Sequence, residues 1–274
     1  MQLDHTRIAI RERSLLNLYD MALRVVATHG GALLAAWACG VLPALLLNRW
    51  LLGAALEEVV LSDEADATFS YVIGLLYLVI WELPLATAPI TLYLGQAMFD
   101  QRPRPRVLLG QFLRAVPQLV WYQVLWRPLW FLLPFGFLYP FVARAYLNEV
   151  ILLERNPLWS RGGKTMTTRA RAAGLHAFMW GELFLQWVMV LILGSLLFFS
   201  VLGSAYLLRG ELLGEWGFDR TLLEILLPVS LWLVIGYFCV VRFLAYLDLR
   251  IRREGWELEL LVRAEADRLK RHLA

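Results

Sequence analysis

The chain has little of what catalysis or metal binding ordinarily draws on. Two cysteines in 274 residues, Cys39 and Cys239, each lie inside an apolar run, which excludes a disulfide framework and a thiolate metal site. Four histidines, His5, His29, His176 and His272, are scattered without a second histidine or a carboxylate at ligand spacing, so zinc has no support. No serine occupies a nucleophile-elbow setting. The segment "SRGGKT" invites comparison with a phosphate loop, but Leu158 stands where that loop needs its first glycine. Charged residues make up only 18% of the chain. These absences predict no enzyme, no cofactor and no nucleic-acid partner.

What is present is apolar: 59% of residues are hydrophobic and the mean hydropathy is +0.58, values of the membrane class. The expected fold is therefore all-α, a polytopic membrane protein of about six transmembrane helices, because spans of about 20 residues fill a chain of this length. The spans are expected at 31–52, 70–96, 110–131, 135–154, 177–208 and 221–248. Pro128 and Pro134 mark the turn of the third and fourth, with Trp121, Trp126 and Trp130 approaching the far interface as an aromatic belt. In the first span Ala32, Ala36, Gly40 and Ala44 recur every four residues, a face suited to close helix packing within the chain.

Amphipathic segments flank this core and give three regions: 1–30, the six-helix domain 31–248, and the tail 249–274. Near the N-terminus Leu15, Leu18, Tyr19, Ala22, Val25 and Val26 share one helical face, which predicts a helix lying on the membrane surface. Arg7, Arg11, Arg13, Asp20 and Arg24 interrupt the first 30 residues, so no cleaved leader is expected. The fourth loop, "RNPLWSRGGKTMTTRARAAG", predicts a basic interfacial helix facing anionic lipid. In the tail Leu258, Val262, Ala266, Leu269 and Leu273 share a face, and Glu259 stands four residues before Arg263.

Lysine and arginine set the expected orientation, since cytoplasmic loops carry their excess. The N-terminal segment, the second loop, the fourth loop and the tail are basic, whereas the other side has only Arg49, Arg127, Arg209 and Arg220 amid acidic loops. Both termini are thus expected on the cytoplasmic face of the inner membrane. Arg250, Arg252 and Arg253, in the "RRE" stretch with Asp248 and Glu254, sit where the sixth span meets the headgroups; these five residues form a candidate docking motif.

Ionisable and amide residues at membrane depth form the other candidate site: Glu82, Arg144, Asn148, Glu149, Glu182, Gln186 and Arg242. Twelve Val, Ile and Leu side chains between Val72 and Leu94 contribute roughly 4 to 7 kcal/mol of insertion free energy against about 3 for an acid, so the second span inserts with Glu82 in it. Depth matching pairs Glu82 with Arg144 and groups Arg242, Glu149 and Glu182 nearer the cytoplasmic face. Paired charges fix helix register; an ion path or a lipid-headgroup pocket is the functional alternative.

Two stretches, "VILLERNPLWSRGGKTM" and "RFLAYLDLRIRREGWELE", resemble those of a loosely related group of uncharacterised bacterial six-helix membrane proteins. That group is similar to the membrane domain attached to some glycerophosphodiester phosphodiesterases. These 274 residues hold no phosphodiesterase catalytic domain, so no activity carries over. The resemblance implies that the tail motif clamps the fourth loop to the sixth span. The expected role is a scaffold or assembly subunit bound to a membrane-protein partner and to bilayer lipid; a transporter or lipid-handling protein is the alternative.

Overall fold

The computed structural model describes residues 15–62, 65–98, 103–136, 138–160, 165–217 and 219–254. Among these residues the regular structure is all helical, with no strand. Helix α1, Leu15–Ser62, is one rod of 48 residues bent at His29, whose φ of −114° and ψ of 18° leave the helical region. The amphipathic segment and the first span are therefore continuous. Leu18, Ala22 and Val25, three residues of the expected stripe, are buried with Val241, Phe243 and Leu249 of the last helix, and the Tyr237 hydroxyl donates to the Tyr19 carbonyl at 3.2 Å.

Helices α2, Ala65–Ala86, and α3, Ala88–Ala97, continue one another across Thr87, with Pro89 in the first turn of α3. Proline supplies no N–H for the helical ladder, which makes this a natural point of redirection. Here Thr87 Oγ1 donates to the Leu83 carbonyl at 2.7 Å. The small face of α1 explains its contact with this junction: a Cβ on Gly40 would stand 2.0 Å from the Ala86 carbonyl oxygen. Ala44 is buried, Ala36 packs against the core, and Ala32 faces outward.

A hairpin follows. Helix α4, Pro105–Leu119, runs through a π-helical turn, Val120–Trp126, into α5, Arg127–Phe131. The return leg is broken into a π turn at Tyr139–Ala143, the short α6 at Leu147–Glu149, and a further π turn at Val150–Glu154. Then come α7, Thr168–His176, capped by Thr167 Oγ1 accepting from the Ala170 N–H at 3.3 Å, and α8, Trp180–Leu213. Gly214, at φ 72°, ends α8 with its N–H on the Gly210 carbonyl at 2.9 Å, a left-handed cap. A π turn at Leu222–Leu226 leads into α9, Leu227–Glu254.

Four helical stretches among the described residues are long and apolar enough to cross a bilayer: Leu15–Leu61, Ala65–Ala97, Trp180–Leu213 and Leu222–Glu254. They coincide with four of the six expected spans. The two legs of the hairpin are not among them, and breaks at 132–136 and 144–146 interrupt the return leg. Of the expected tryptophan belt, Trp121 sits 6.3 Å from Trp159 of the fourth loop and Trp130 stacks on Tyr139 at 3.9 Å.

The core runs the length of the bundle. At the α7 end, Leu94, Met98, Tyr146, Leu175, Leu183 and Tyr246 join the N-terminal part of α1; in the middle, Val41, Leu75, Val79 and Trp232 pack together; at the opposite end, Leu56, Tyr71 and Leu223 close it. In lipid such contacts gain from close packing and internal hydrogen bonds, because tails are as apolar as leucine. Trp37 supplies both, donating Nε1–H to the Trp232 carbonyl at 2.9 Å and lying 2.8 Å from where a Cβ of Gly236 would be. None of the most apolar window of α8 is buried in the protein.

Candidate functional site

The predicted polar residues fall into two separate places. The larger group lies at the α7 end, where the hairpin's return leg meets α9. Glu149 is fully buried, and its Oε1 accepts from Arg242 Nε at 2.7 Å. Five residues on, Glu154 Oε1 accepts from the Tyr246 hydroxyl at 2.8 Å and lies 3.7 Å from Arg250 Nε. The π turn between them brings this about: its wider coil aligns residues five apart, so both carboxylates face α9. On α9 the matching residues 242, 246 and 250 recur every four positions along one face.

Arg171 of α7 closes the group. Its Nε contacts Glu154 Oε2 at 2.5 Å, its Nη2 donates to Glu154 Oε1 at 3.0 Å, and Nη2 also meets Glu254. Arg250 donates to Glu254 through Nε at 3.1 Å and Nη2 at 2.9 Å. Hydrogen bonds to two carboxylates hold the Arg171 guanidinium above its already high pKa. The fourth-loop helix is thereby tied to both the hairpin and the end of α9. Arg161 and Lys164 of that loop, the N-terminal arginines Arg7, Arg11 and Arg13, and the amphipathic tail beyond residue 254 lie outside the described residues.

Glu182 does not join Arg242 and Glu149. It accepts instead from Arg252, with Nη1 to Oε2 at 3.1 Å, while Arg252 Nε donates to Asp248 at 3.1 Å. Gln186, one turn along α8, accepts from the Tyr146 hydroxyl. Asp248, Arg250, Arg252 and Glu254 of the candidate docking motif thus point into the chain's own network, and Arg253 is the member left exposed. Beside them, His176 is buried: its Nδ1–H donates to the Ala172 carbonyl at 2.6 Å and its Nε2 accepts the Tyr146 N–H at 3.1 Å. Burial pushes its pKa down to about 4, with the Arg144 charge adding to the effect against the Ala172 bond.

The expected pair of Glu82 and Arg144 is not formed. Arg144 leaves the helix, at φ −131° and ψ 33°, and its Nε turns back to the Tyr139 hydroxyl at 3.2 Å while Nη1 reaches the Arg169 carbonyl at 3.5 Å. Glu82 instead accepts from Asn48 Nδ2 at 3.1 Å and has no ion pair among the described residues. Asn48 was not among the predicted residues; its place in α1, at the depth of Glu82, is the signal that would have found it. Asn148 is buried and donates to the Pro84 carbonyl at 3.3 Å.

Arg127, assigned above to the loop side of the hairpin, is another correction. It is 6% exposed, lies 4.5 Å over the Phe141 ring and donates to the Ile80 carbonyl at 3.1 Å, midway along α2 and α3. Arg209 and Arg220 are satisfied locally: Asp219 and Glu215 clasp Arg209, and Glu224 takes Arg220 at 2.8 Å. The Arg209 contact holds the Asp219 carboxyl below the usual range. No group of three or more His, Cys, Asp or Glu able to hold a metal occurs among the described residues.

Comparison with protein-family models, with curated proteins and with solved structures finds no match to this chain.

Proposed function

We propose that this chain is a non-enzymatic multi-pass protein of the cytoplasmic membrane acting as a scaffold or assembly subunit. The observation that carries this reading is the use of the interior charges at the α7 end. Glu149, Glu154, Glu182 and Glu254 are each met by an arginine of the same chain, an arrangement that fixes helix register and builds a stiff face. Helix α8 stands beside it with its apolar stretch uncovered, available to lipid or to a membrane-protein partner. Purification of the tagged chain in mild detergent, with mass spectrometry of what stays bound, tests the proposal: a stoichiometric protein partner is expected, and a chain that emerges alone or with lipid only argues against it.

The proposed topology has six crossings, the hairpin legs supplying the third and fourth, amphipathic helices at the interface, and both termini in the cytoplasm. Basic residues at the α7 end, among them Arg104, Arg106 and Arg169, would meet anionic headgroups there. Single cysteines replacing Asp63 and Arg161 check this from the two sides; labelling of position 161 from outside would overturn it. The likeness to the membrane domain of glycerophosphodiester phosphodiesterases fits this topology and remains part of the proposal.

A second reading, transport or lipid handling through intramembrane polar residues, is favoured by one observation: among the described residues Glu82 has no cation partner.

A further inference from the structure

Glu82 lies midway along the stretch formed by α2 and α3, and its Oε1 has no hydrogen-bond partner among the described residues. Among the described residues its one hydrogen bond comes from Asn48 Nδ2. Asn48 is 4% exposed, and its own Oδ1 is likewise unpartnered. Asn48 also lines a cavity of ≈ 20 Å³, together with Arg49, Tyr71, Glu224 and leucines. About 10 to 15 Å³ suffices for one water where polar partners are present. Arg49 is 65% exposed and leads outward from this cavity, while Glu224 is largely buried in its wall. Asn48 therefore touches both the cavity and the Glu82 carboxylate.

We propose that Glu82 is a proton-binding carboxyl that exchanges its proton with water entering through the Asn48 cavity, from the end of the bundle opposite α7. This deepens the second reading of function and rests on it. On protonation the carboxylate takes a proton from hydronium, leaving a neutral acid and one water; release reverses the step. An amide suits both states, because its NH₂ donates to the carboxylate and its oxygen, after a flip, accepts from the acid. The charged groups around the route do not compete for that proton. Glu224, on the turn before α9, is neutralised by Arg49 and Arg220, each at 2.8 Å; Tyr71 spends its hydroxyl on the Leu223 carbonyl; Arg127, from the hairpin, is bonded to the Ile80 carbonyl.

The test is modification by dicyclohexylcarbodiimide, which reacts with protonated carboxyls in apolar surroundings, read by peptide mass spectrometry on the full chain in detergent. An adduct at Glu82 that increases as pH falls from roughly 9 to 5 is expected, absent in Glu82→Gln and raised up to about tenfold at neutral pH in Asn48→Leu, which lacks the donor to the carboxylate. Gel filtration and helical circular dichroism confirm that the variants fold. In a background of Cys39→Ser and Cys239→Ala, Arg49→Cys should react with a membrane-impermeant maleimide from the side opposite α7. No adduct at Glu82 across that pH range overturns the proton site, and failure of the maleimide to reach position 49 overturns the route. A Glu82 adduct without proton flux in liposomes would uphold the site and remove the transport reading, so the two fail separately.

Discussion

Arg242 donates Nε–H to Glu149 Oε1 at 2.7 Å, joining α9 to the return leg of the hairpin through a carboxylate with no exposure at all. Removing one partner would leave the other charge stranded in a place with little water. Arg242→Leu or Glu149→Leu alone should each cost about 3 to 5 kcal/mol of stability, whereas the double replacement should recover most of that loss. Thermal denaturation in detergent, run as a double-mutant cycle, measures the coupling.

Arg171 carries the contact between α7 and two carboxylates. Arg171→Ala should loosen α7 without unfolding the bundle, because the apolar contacts of Ala172 and Leu175 remain. Hydrogen exchange should show faster exchange over Thr168–His176 and unchanged protection in the middle of α9.

His176 is held neutral, and the sign of its pH effect follows. A folded pKa of about 4 lies below the ordinary value of 6.5, so its contribution is complete above pH 6.5 and is lost as pH falls toward 4. The loss amounts to about 3 kcal/mol. Melting curves between these pH values should show this decline in the native chain and a flatter one in His176→Asn.

Gly40 of α1 packs against the C-terminal end of α2. A methyl group there meets the Ala86 carbonyl oxygen at 2.0 Å, a backbone atom that cannot swing aside. Gly40→Ala should destabilise by about 1 to 3 kcal/mol despite alanine's better helix propensity. Gly203, with nothing within 4 Å of its added methyl, is the control and should gain slightly.

Periodicity alone made much of this molecule legible. The four-residue spacing of Ala32, Ala36, Gly40 and Ala44 pointed to a packed face that begins at Ala36, whereas the stripe through Leu18, Ala22 and Val25, expected on the membrane surface, is buried against α9. What escaped was anything that depends on where a helix stops being regular. Matching Arg144 to Glu82 by depth assumes a straight return leg, yet that leg turns at 144–146 and aims the guanidinium back at Tyr139. Arg127 escaped for a related reason: residue counting placed it near a loop, whereas the hairpin carries it against the middle of the α2–α3 stretch. The inward turn of the docking motif was hidden too, because an exposed charge and one paired across the chain look alike in sequence.

The π turn at Val150–Glu154 makes the number of residues in this leg matter as much as their identity. Relaxing it to an ordinary helix would rotate Glu154 away from Tyr246 and Arg171 while leaving Glu149 on Arg242. A chain shortened by one residue there would put the second carboxylate four positions after Glu149 on an ordinary helix and so keep the latch on α7. Among distant relatives of such a protein, a single-codon gap at this point would mark a straightened leg with the same closed end.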